Sequence, residues 1–146
     1  MPTYTITSPQ GTLKPEQKRQ IARDVTRLHS EVTGANCFFA QVLFVETAEE
    51  SWFQGGAPQA ATPVFLHGQI RGGRSPETKA KLLELLVAAV AAGSSIPKRQ
   101  IWGYLHELPP SHMVEYGHVL PEPGREAQWL ADLPPDEREI MERMGR

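Results

Sequence analysis

The stretch VFLHGQIRGGRSPETKAKLLELLVAAVAAG, residues 64–93, predicts a strand that leads into a helix. Residues 64–70 are typical of a strand, because they include β-branched and aromatic side chains. Ser75, Pro76 and Glu77 then supply a capping hydroxyl, a proline suited to the first helical turn and an early carboxylate. Gly93 is predicted to end the helix. The apolar stripe of this helix has helical spacing and consists of Leu82, Leu85, Leu86, Ala89 and Val90.

The same order of signals occurs 61 residues earlier in the chain. At this shift, the motif Pro-Glu-x-Lys at residues 15–18 coincides with the same motif at residues 76–79. Two further coinciding pairs are Pro2 with Pro63 and Glu46 with Glu107. Repetition at a fixed spacing indicates two copies of one structural unit.

The first copy has the same predicted elements as the second. Residues 3–7 predict a strand, and Pro15 begins a helix that Gly34 is predicted to end. Residues 38–45 are a nearly continuous apolar run, which is typical of a buried strand. In the second copy, residues 101–105 supply the corresponding closing strand.

Two such β-α-β units predict a single domain over residues 1–146. The units span residues 2–46 and 63–107, and a segment rich in glycine, alanine and proline, residues 54–63, links them. We therefore expect an α/β (α+β) fold in which a four-stranded sheet carries both helices on one face.

The composition narrows the range of partners. The formal net charge of −2 argues against a general nucleic-acid binder or a polybasic membrane binder. Cys37 is the single cysteine, which excludes an internal disulfide framework. The longest apolar stretch, residues 82–92, is too short to span a bilayer, and the first residues do not resemble a signal peptide. We expect a soluble cytoplasmic protein, and since the histidines lack metal-ligand spacing, we expect no metal and no cofactor.

Several segments are expected to converge on Pro2. At the usual rises of a strand and a helix, the first helix returns to the level of Pro2 near His29. If the first strands of the two units pair antiparallel, Arg71, Ser75 and the end of the last strand near Tyr104 also lie there. An initiator methionine before a small residue is usually removed, which would leave Pro2 with a secondary amine. Because α-amino groups have pKa values of about 7.7–8.0, this amine could serve as an acid or a base.

Each remaining candidate residue also has a plain structural interpretation. The Arg71-Gly-Gly-Arg74 loop could bind a carboxylate through its arginine forks, or it could be a solvated turn. His29 at the edge of an apolar stripe is typical of a partly buried histidine. A tyrosine in a strand, such as Tyr104, usually packs, and an isolated glutamate, such as Glu115, is usually solvated.

Taken together, Pro2, His29, Arg71, Arg74, Tyr104 and Glu115 resemble the cis-3-chloroacrylic acid dehalogenase family of the tautomerase superfamily. The resemblance covers nearly the whole chain. Its supporting segments are Ala40-Gln41-Val42, Gly73-Arg74-Ser75, Ile101-Trp102, MVEYG at 113–117, Leu120-Pro121, Pro123-Gly124, Trp129 and residues 136–138.

The resemblance implies the tautomerase β-α-β fold and a role for each of these residues. Pro2 would donate a proton to C2 of a bound unsaturated acid. Arg71 and Arg74, with His29, would hold the carboxylate of that acid, and Glu115 and Tyr104 would activate the water that attacks C3. The family assembles as a homotrimer, and we expect the tail to pack on another subunit. That tail comprises residues 108–146, with candidate short helices at 125–130 and 135–144.

Three functions remain open from the sequence. The first is a hydrolytic dehalogenase or hydratase that acts on a small unsaturated acid and gives malonate semialdehyde. The second is a keto-enol tautomerase of the phenylpyruvate type, in which neutral Pro2 is the base. The third is a non-catalytic protein that binds a small acid. A blocked proline has no usable amine, so retention of the initiator methionine would favour the third.

Overall fold

The computed structural model describes residues 2–144. The expected removal of the initiator methionine concerns a residue outside this range. The strands are β1 (Thr3–Pro9), β2 (Gln41–Thr47), β3 (Phe53–Gln54), β4 (Ala57–Pro58), β5 (Val64–Arg71), β6 (Ile101–Leu108), β7 (Val114–Glu115) and β8 (His118–Val119). The helices are α1 (Pro15–Thr33), α2 (Pro76–Ser94), α3 (Glu126–Asp132) and α4 (Pro135–Met144).

The main sheet has four strands in the order β2-β1-β5-β6. The outer pairs, β1 with β2 and β5 with β6, are parallel, and the central pair, β1 with β5, is antiparallel. This confirms the predicted fold class and the antiparallel pairing of the two units. Thr3 pairs with Gln69, and Arg71 pairs with Leu108. The beginning of β1 therefore lies at the same end of the sheet, along the strand direction, as the ends of β5 and β6. We call this end of the sheet the Pro2 edge.

The two units repeat one framework in detail. Each helix has 19 residues and begins at a proline, and the buried positions of α1 match those of α2 at the shift of 61. The matching buried pairs are Ile21 with Leu82, Val25 with Leu86 and His29 with Val90. An ion pair is also repeated, since Lys18–Glu46 at 2.9 Å corresponds to Lys79–Glu107 at 2.7 Å.

Gly93 does not end α2, contrary to the prediction. The helix continues to Ser94, and Ser95 takes the left-handed conformation at its end. A Cβ on Gly93 would lie 2.5 Å from a side-chain carbon of Ile21. The glycine is therefore inside the helix because it permits the close approach of α1 and α2.

The predicted strand bounds also need correction. The apolar run at 38–45 is divided, because Cys37–Phe39 forms a 3₁₀ turn and β2 begins only at Gln41. Phe39 instead packs in a second cluster with Ala35, Met113 and Leu120. The last strand extends to Leu108 rather than ending at residue 105, and the predicted linker contains the hairpin formed by β3 and β4.

The tail covers part of the first unit of its own chain. Met113 and Leu120 complete the second cluster, and Met141 of α4 is fully buried. The segment that the sequence predicted as a short helix at 125–130 forms α3 at Glu126–Asp132, and α4 has its predicted bounds. Within residues 2–144, no helix is long and apolar enough to cross a membrane.

Among residues 2–144, no helix covers the second face of the main sheet. Both long helices pack on the face that carries Tyr4, Ile6 and Leu66. The opposite face exposes 44% of Leu43, 51% of Trp102 and 54% of Tyr104. We call this surface the open sheet face.

Candidate active site

Pro2 is buried where the sheet begins. Its carbonyl oxygen accepts a hydrogen bond of 2.9 Å from the backbone N–H of Gln41, which ties the start of β1 to the start of β2. Since side chains alternate along a strand, Pro2 and Tyr4 lie on the same side of the sheet, the side that carries the helices. Any group that α1 presents at this level therefore lies on the same side of the sheet as the proline.

That group is His29, which is 1% exposed and contacts Tyr4. The Tyr4 hydroxyl and His29 Nδ1 are 2.6 Å apart. Burial, with a contribution from the positive charge of Arg74, lowers the pKa of His29 to about 3. Burial also raises the pKa of the Tyr4 phenol well above its ordinary value. Both side chains are therefore neutral at physiological pH.

Gly68 makes room for the Tyr4 ring. The two residues are directly opposed in the β1–β5 pairing. A Cβ at Gly68 would lie 2.6 Å from Cε1 of Tyr4, which is closer than carbon atoms can approach. The absence of a side chain on β5 thus lets the tyrosine ring lie across that strand and reach α1.

Arg71, the last residue of β5, and Arg74, in the loop that follows, have different partners. Arg71 is 5% exposed and donates one hydrogen bond of 2.9 Å to the carbonyl oxygen of Pro121 and another to the Glu126 carboxylate. Burial alone would raise the pKa of Glu126, but the hydrogen bond and charge of Arg71 outweigh it and hold this pKa below its usual range. Arg74 donates to the carbonyl oxygen of Arg71, and burial beside the Arg71 charge lowers the pKa of Arg74 from its ordinary value.

Three unpaired nitrogens are buried at the Pro2 edge. Within residues 2–144, His29 Nε2, Arg71 Nε and Arg74 Nε have no hydrogen-bond partner. Buried polar groups are normally paired, and an unpaired one costs about 1–3 kcal/mol. The same lack occurs at Thr47, but this residue ends β2 at the opposite edge of the sheet. The clustering of donors with two positive charges is suited to an anion that accepts hydrogen bonds.

Two cavities lie near the two arginines and the start of β1. The smaller, of about 450 Å³, is lined by Arg71, Arg74 and Glu126. The larger, of about 750 Å³, is lined by Glu115 and by Thr3, the residue after Pro2. Phe39 lines both cavities and thus stands between the arginines and the glutamate.

Tyr104 lies apart from this cluster within one chain. It pairs with His67 in the middle of β6, and its ring contacts Phe65 edge-on at 5.1 Å between centroids. It projects from the open sheet face, whereas Pro2 and Tyr4 are on the helix side. The expectation that the last strand ends near Tyr104 and brings it beside Pro2 is wrong for a single chain, because β6 continues to Leu108.

Tyr4 and Glu126 were not among the predicted site residues. Tyr4 had a sequence signal, since alternation places it on the same side of β1 as Pro2. Glu126 is 55 positions from Arg71 and had none. Among residues 2–144, no group of three or more His, Cys, Asp or Glu side chains is arranged to hold a metal ion.

The chain matches a known protein family. A family model, Tautomerase_3, described as "Putative oxalocrotonate tautomerase enzyme", matches residues 1–132. The comparison with curated proteins gave no match.

The chain is also similar in fold and sequence to proteins of known structure. The chain is 33% identical to N1, a member of the cis-3-chloroacrylic acid dehalogenase family, over 97% of this chain and 99% of N1, with a TM-score of 0.92. It is 29% identical to Ps01740 over 77% of this chain and 99% of that chain, with a TM-score of 0.73. A fused 4-OT described as a symmetric trimer shares the fold, with 19% identity over 81% of this chain and 94% of that chain and a TM-score of 0.74.

Proposed function

The chain belongs to the cis-3-chloroacrylic acid dehalogenase family of the tautomerase superfamily, and from that premise we propose that it is a cofactor-independent enzyme. Its substrate is a small unsaturated or 2-oxo carboxylic acid. The observation that carries this proposal is the set of three unpaired buried nitrogens, on His29, Arg71 and Arg74. A carboxylate would supply the missing acceptors at an edge that already holds Pro2.

Each of the three residues would contribute differently to binding the carboxylate. Arg74 supplies a positive charge and an Nε–H, and its remaining partner is a backbone carbonyl. Arg71 supplies its Nε–H, while Glu126 offsets much of its charge. His29 is neutral and contributes a donor without a charge. Fixed donors of this kind stabilise negative charge that moves toward the carboxylate in a transition state.

The leading reaction is the conjugate addition of water to the double bond. Glu115 takes a proton from water as the water oxygen bonds to C3, and the Pro2 ammonium gives a proton to C2. For a 3-chloro acid, the resulting carbon bears both chlorine and hydroxyl. Loss of the hydroxyl proton and of chloride then gives malonate semialdehyde. Pro2 and Glu115 need opposite protonation states at one pH, which different surroundings can maintain.

A homotrimer would explain the position of Tyr104. The open sheet face carries exposed apolar side chains, and a sheet normally buries both faces or exposes polar residues on one. The trimeric fused 4-OT shares this fold. We propose that Tyr104 and part of the tail act across a contact between copies, so that the tyrosine reaches the site of a neighbouring chain.

A keto-enol tautomerase is the second candidate. Tautomerisation needs one base and an anion site, and a single chain holds Pro2 and the three donors at one edge. The position of Phe39 between the arginine cavity and the cavity of Glu115 favours this simpler reaction. Here Pro2 would be neutral and would take the proton that it returns to another atom of the substrate.

Proton NMR of cis-3-chloroacrylate with wild type beside Pro2→Ala tests the proposal. An intact mass first establishes that the purified chain begins at Pro2. Malonate semialdehyde or its product acetaldehyde, formed by wild type alone, supports hydrolytic dehalogenation. Ketonisation of phenylenolpyruvate by wild type alone, with an activity that rises as the proline deprotonates, supports the tautomerase. Equal turnover by wild type and Pro2→Ala would overturn the role of Pro2. Turnover of neither substrate would overturn the proposed enzymatic function.

A further inference from the structure

The hydrogen bond between Tyr4 and His29 has two possible directions. Counting the protons and hydrogen-bond partners of the two groups shows which direction is preferred. Both groups are buried and neutral, and 2.6 Å separates the hydroxyl oxygen from Nδ1. A neutral imidazole carries one N–H and one bare nitrogen, so either the phenol donates to Nδ1 or Nδ1 donates to the phenol.

The first arrangement leaves fewer groups unsatisfied. If the phenol donates, the buried group without a partner is the Nε2–H of His29. If Nδ1 donates instead, both the phenol O–H and the bare Nε2 lack partners, because neither atom has another partner within residues 2–144. Each buried unpaired polar group carries a free-energy cost, so the arrangement with the phenol as donor is preferred.

Nearby charge favours the same direction. The positive charge of Arg74 acts on both residues, and it opposes protonation of His29 while stabilising negative charge on the Tyr4 oxygen. This charge therefore favours the arrangement in which the oxygen lone pairs are directed toward Arg74 and the hydroxyl proton is directed toward His29. Gly68 keeps this geometry available, because any side chain there would displace the Tyr4 ring.

We propose that Tyr4 is a positioning residue that holds His29 in its Nε2–H form, so that the imidazole presents a donor to one oxygen of a bound carboxylate. The role in substrate binding rests on the proposed function, whereas the protonation form of the free protein does not. Without the tyrosine, His29 could present a bare nitrogen, which would repel a carboxylate.

Nitrogen-15 NMR of the imidazole side chains tests this directly. The His29 signals are assigned by their loss in His29→Gln, since the chain has five histidines. In wild type at neutral pH, we expect a protonated Nε2 and a bare Nδ1. Tyr4→Phe should give a mixture of the two neutral forms. Tyr116→Phe is the matched control, because its hydroxyl donates to the Phe38 carbonyl and it should leave the His29 signals unchanged.

Binding measurements connect this form to the site. With acrylate as the probe, Tyr4→Phe should raise the dissociation constant by about fivefold, the usual effect of one lost neutral hydrogen bond. His29→Gln places an amide where Nε2 was and should bind acrylate better than His29→Asn, which places it where Nδ1 was. A wild-type signal from an Nδ1–H imidazole would overturn the proposal. So would an unchanged His29 form in a folded Tyr4→Phe protein. If the NMR result holds but no acid is bound or turned over, the proposed function fails and the tyrosine assignment stands.

Discussion

The two β-α-β units share one framework but differ in what they bury near the Pro2 edge. The third buried position of α1 is His29, whereas the matching position of α2 is Val90. Val90 shows that this framework accepts an apolar side chain there without loss of the helix or its packing. A buried histidine with an unpaired nitrogen is a worse choice for stability alone. We propose that the first unit carries its polar core residues for the proposed chemistry, a common trade of stability for function.

The two units also differ at the end of their first strands. The second unit has Arg71 as the last residue of β5 and Arg74 in the loop that follows, whereas the matching residues of the first unit are Gln10 and Leu13. Leu13 is buried in the main core, and Arg74 faces a cavity. In the proposed site each unit would supply a different part, since the first would provide the proline and histidine and the second would provide the positive charges.

The largest expected effect separates the two matched prolines. Pro2→Ala should lower kcat/KM on the accepted acid by about 10²- to 10⁴-fold, the usual contribution of a positioned acid or base. Pro63→Ala changes the matching residue of the second unit, at the opposite sheet edge, and should leave the turnover of folded protein essentially unchanged. Steady-state kinetics of both variants measure this. Equal losses would mean that proline matters here only for the fold.

The arginines should give the next largest effect. Arg74→Gln should raise KM by about 10- to 100-fold, since a hydrogen bond to a charged group contributes about 1.5–3 kcal/mol. The control is Arg99→Gln, which removes an exposed arginine near the far end of the sheet. Steady-state rates measured over a range of substrate concentrations up to saturation separate KM from kcat. An unchanged KM for Arg74→Gln would remove Arg74 from the carboxylate site.

Acid stability tests the contrast between His29 and Val90. The pKa of His29 is lowered to about 3 from its ordinary 6.5, so below pH 6.5 the unfolded chain gains a proton that the folded chain does not. The free energy of unfolding should therefore fall with decreasing pH by about 1.4 kcal/mol per unit from this residue.

Replacing Tyr4 and His29 together by Phe and Leu should remove that component of the slope. Near neutral pH the double variant should be about as stable as wild type, because both partners of one hydrogen bond are replaced by apolar groups of similar shape. Urea unfolding between about pH 6 and pH 4 measures the slope. An identical slope in the double variant would show that His29 is not buried in neutral form.

The smallest expected effect is a change in stability from substitutions at the ends of α1 and α2. Both helices end on a left-handed residue at matching positions, Gly34 at φ 73° and Ser95 at φ 63°. Since this conformation costs a residue with a Cβ about 1–2 kcal/mol, Ser95→Gly should stabilise the fold by about 1 kcal/mol. Gly34→Ser should destabilise it by a similar amount. Thermal unfolding of both variants provides the comparison, and a lower Tm for Ser95→Gly would contradict it.

Local signals predicted the framework because each signal acts over a few residues. Pro76 and Ser75 start α2 as expected, with the Ser75 hydroxyl accepting from the Thr78 N–H, and Gly34 ends α1. Gly93 misled the prediction, since its role is a contact with Ile21 across two helices, which no local pattern reveals. For the same reason, residues 38–39 were predicted as strand although they pack on the tail.

The candidate site was predictable only where chain direction sets position. Strand and helix rises predicted that His29 lies at the level of Pro2. The placement of Arg71 there depended on an assumed antiparallel pairing of the two units, which the pairing of β1 with β5 confirms. The Glu126–Arg71 pair depends on how the tail folds back, so sequence spacing contains no sign of it. The position of Tyr104 on the open sheet face depends on the length of β6, which the sequence underestimated.

A crystal structure with bound acrylate tests most directly whether the unpaired nitrogens at the Pro2 edge form a carboxylate site. We predict carboxylate oxygens within about 2.7–3.2 Å of Arg74 Nε and His29 Nε2, with the double bond beside the Pro2 nitrogen. Acrylate bound elsewhere, with these two nitrogens in contact only with water, would contradict it.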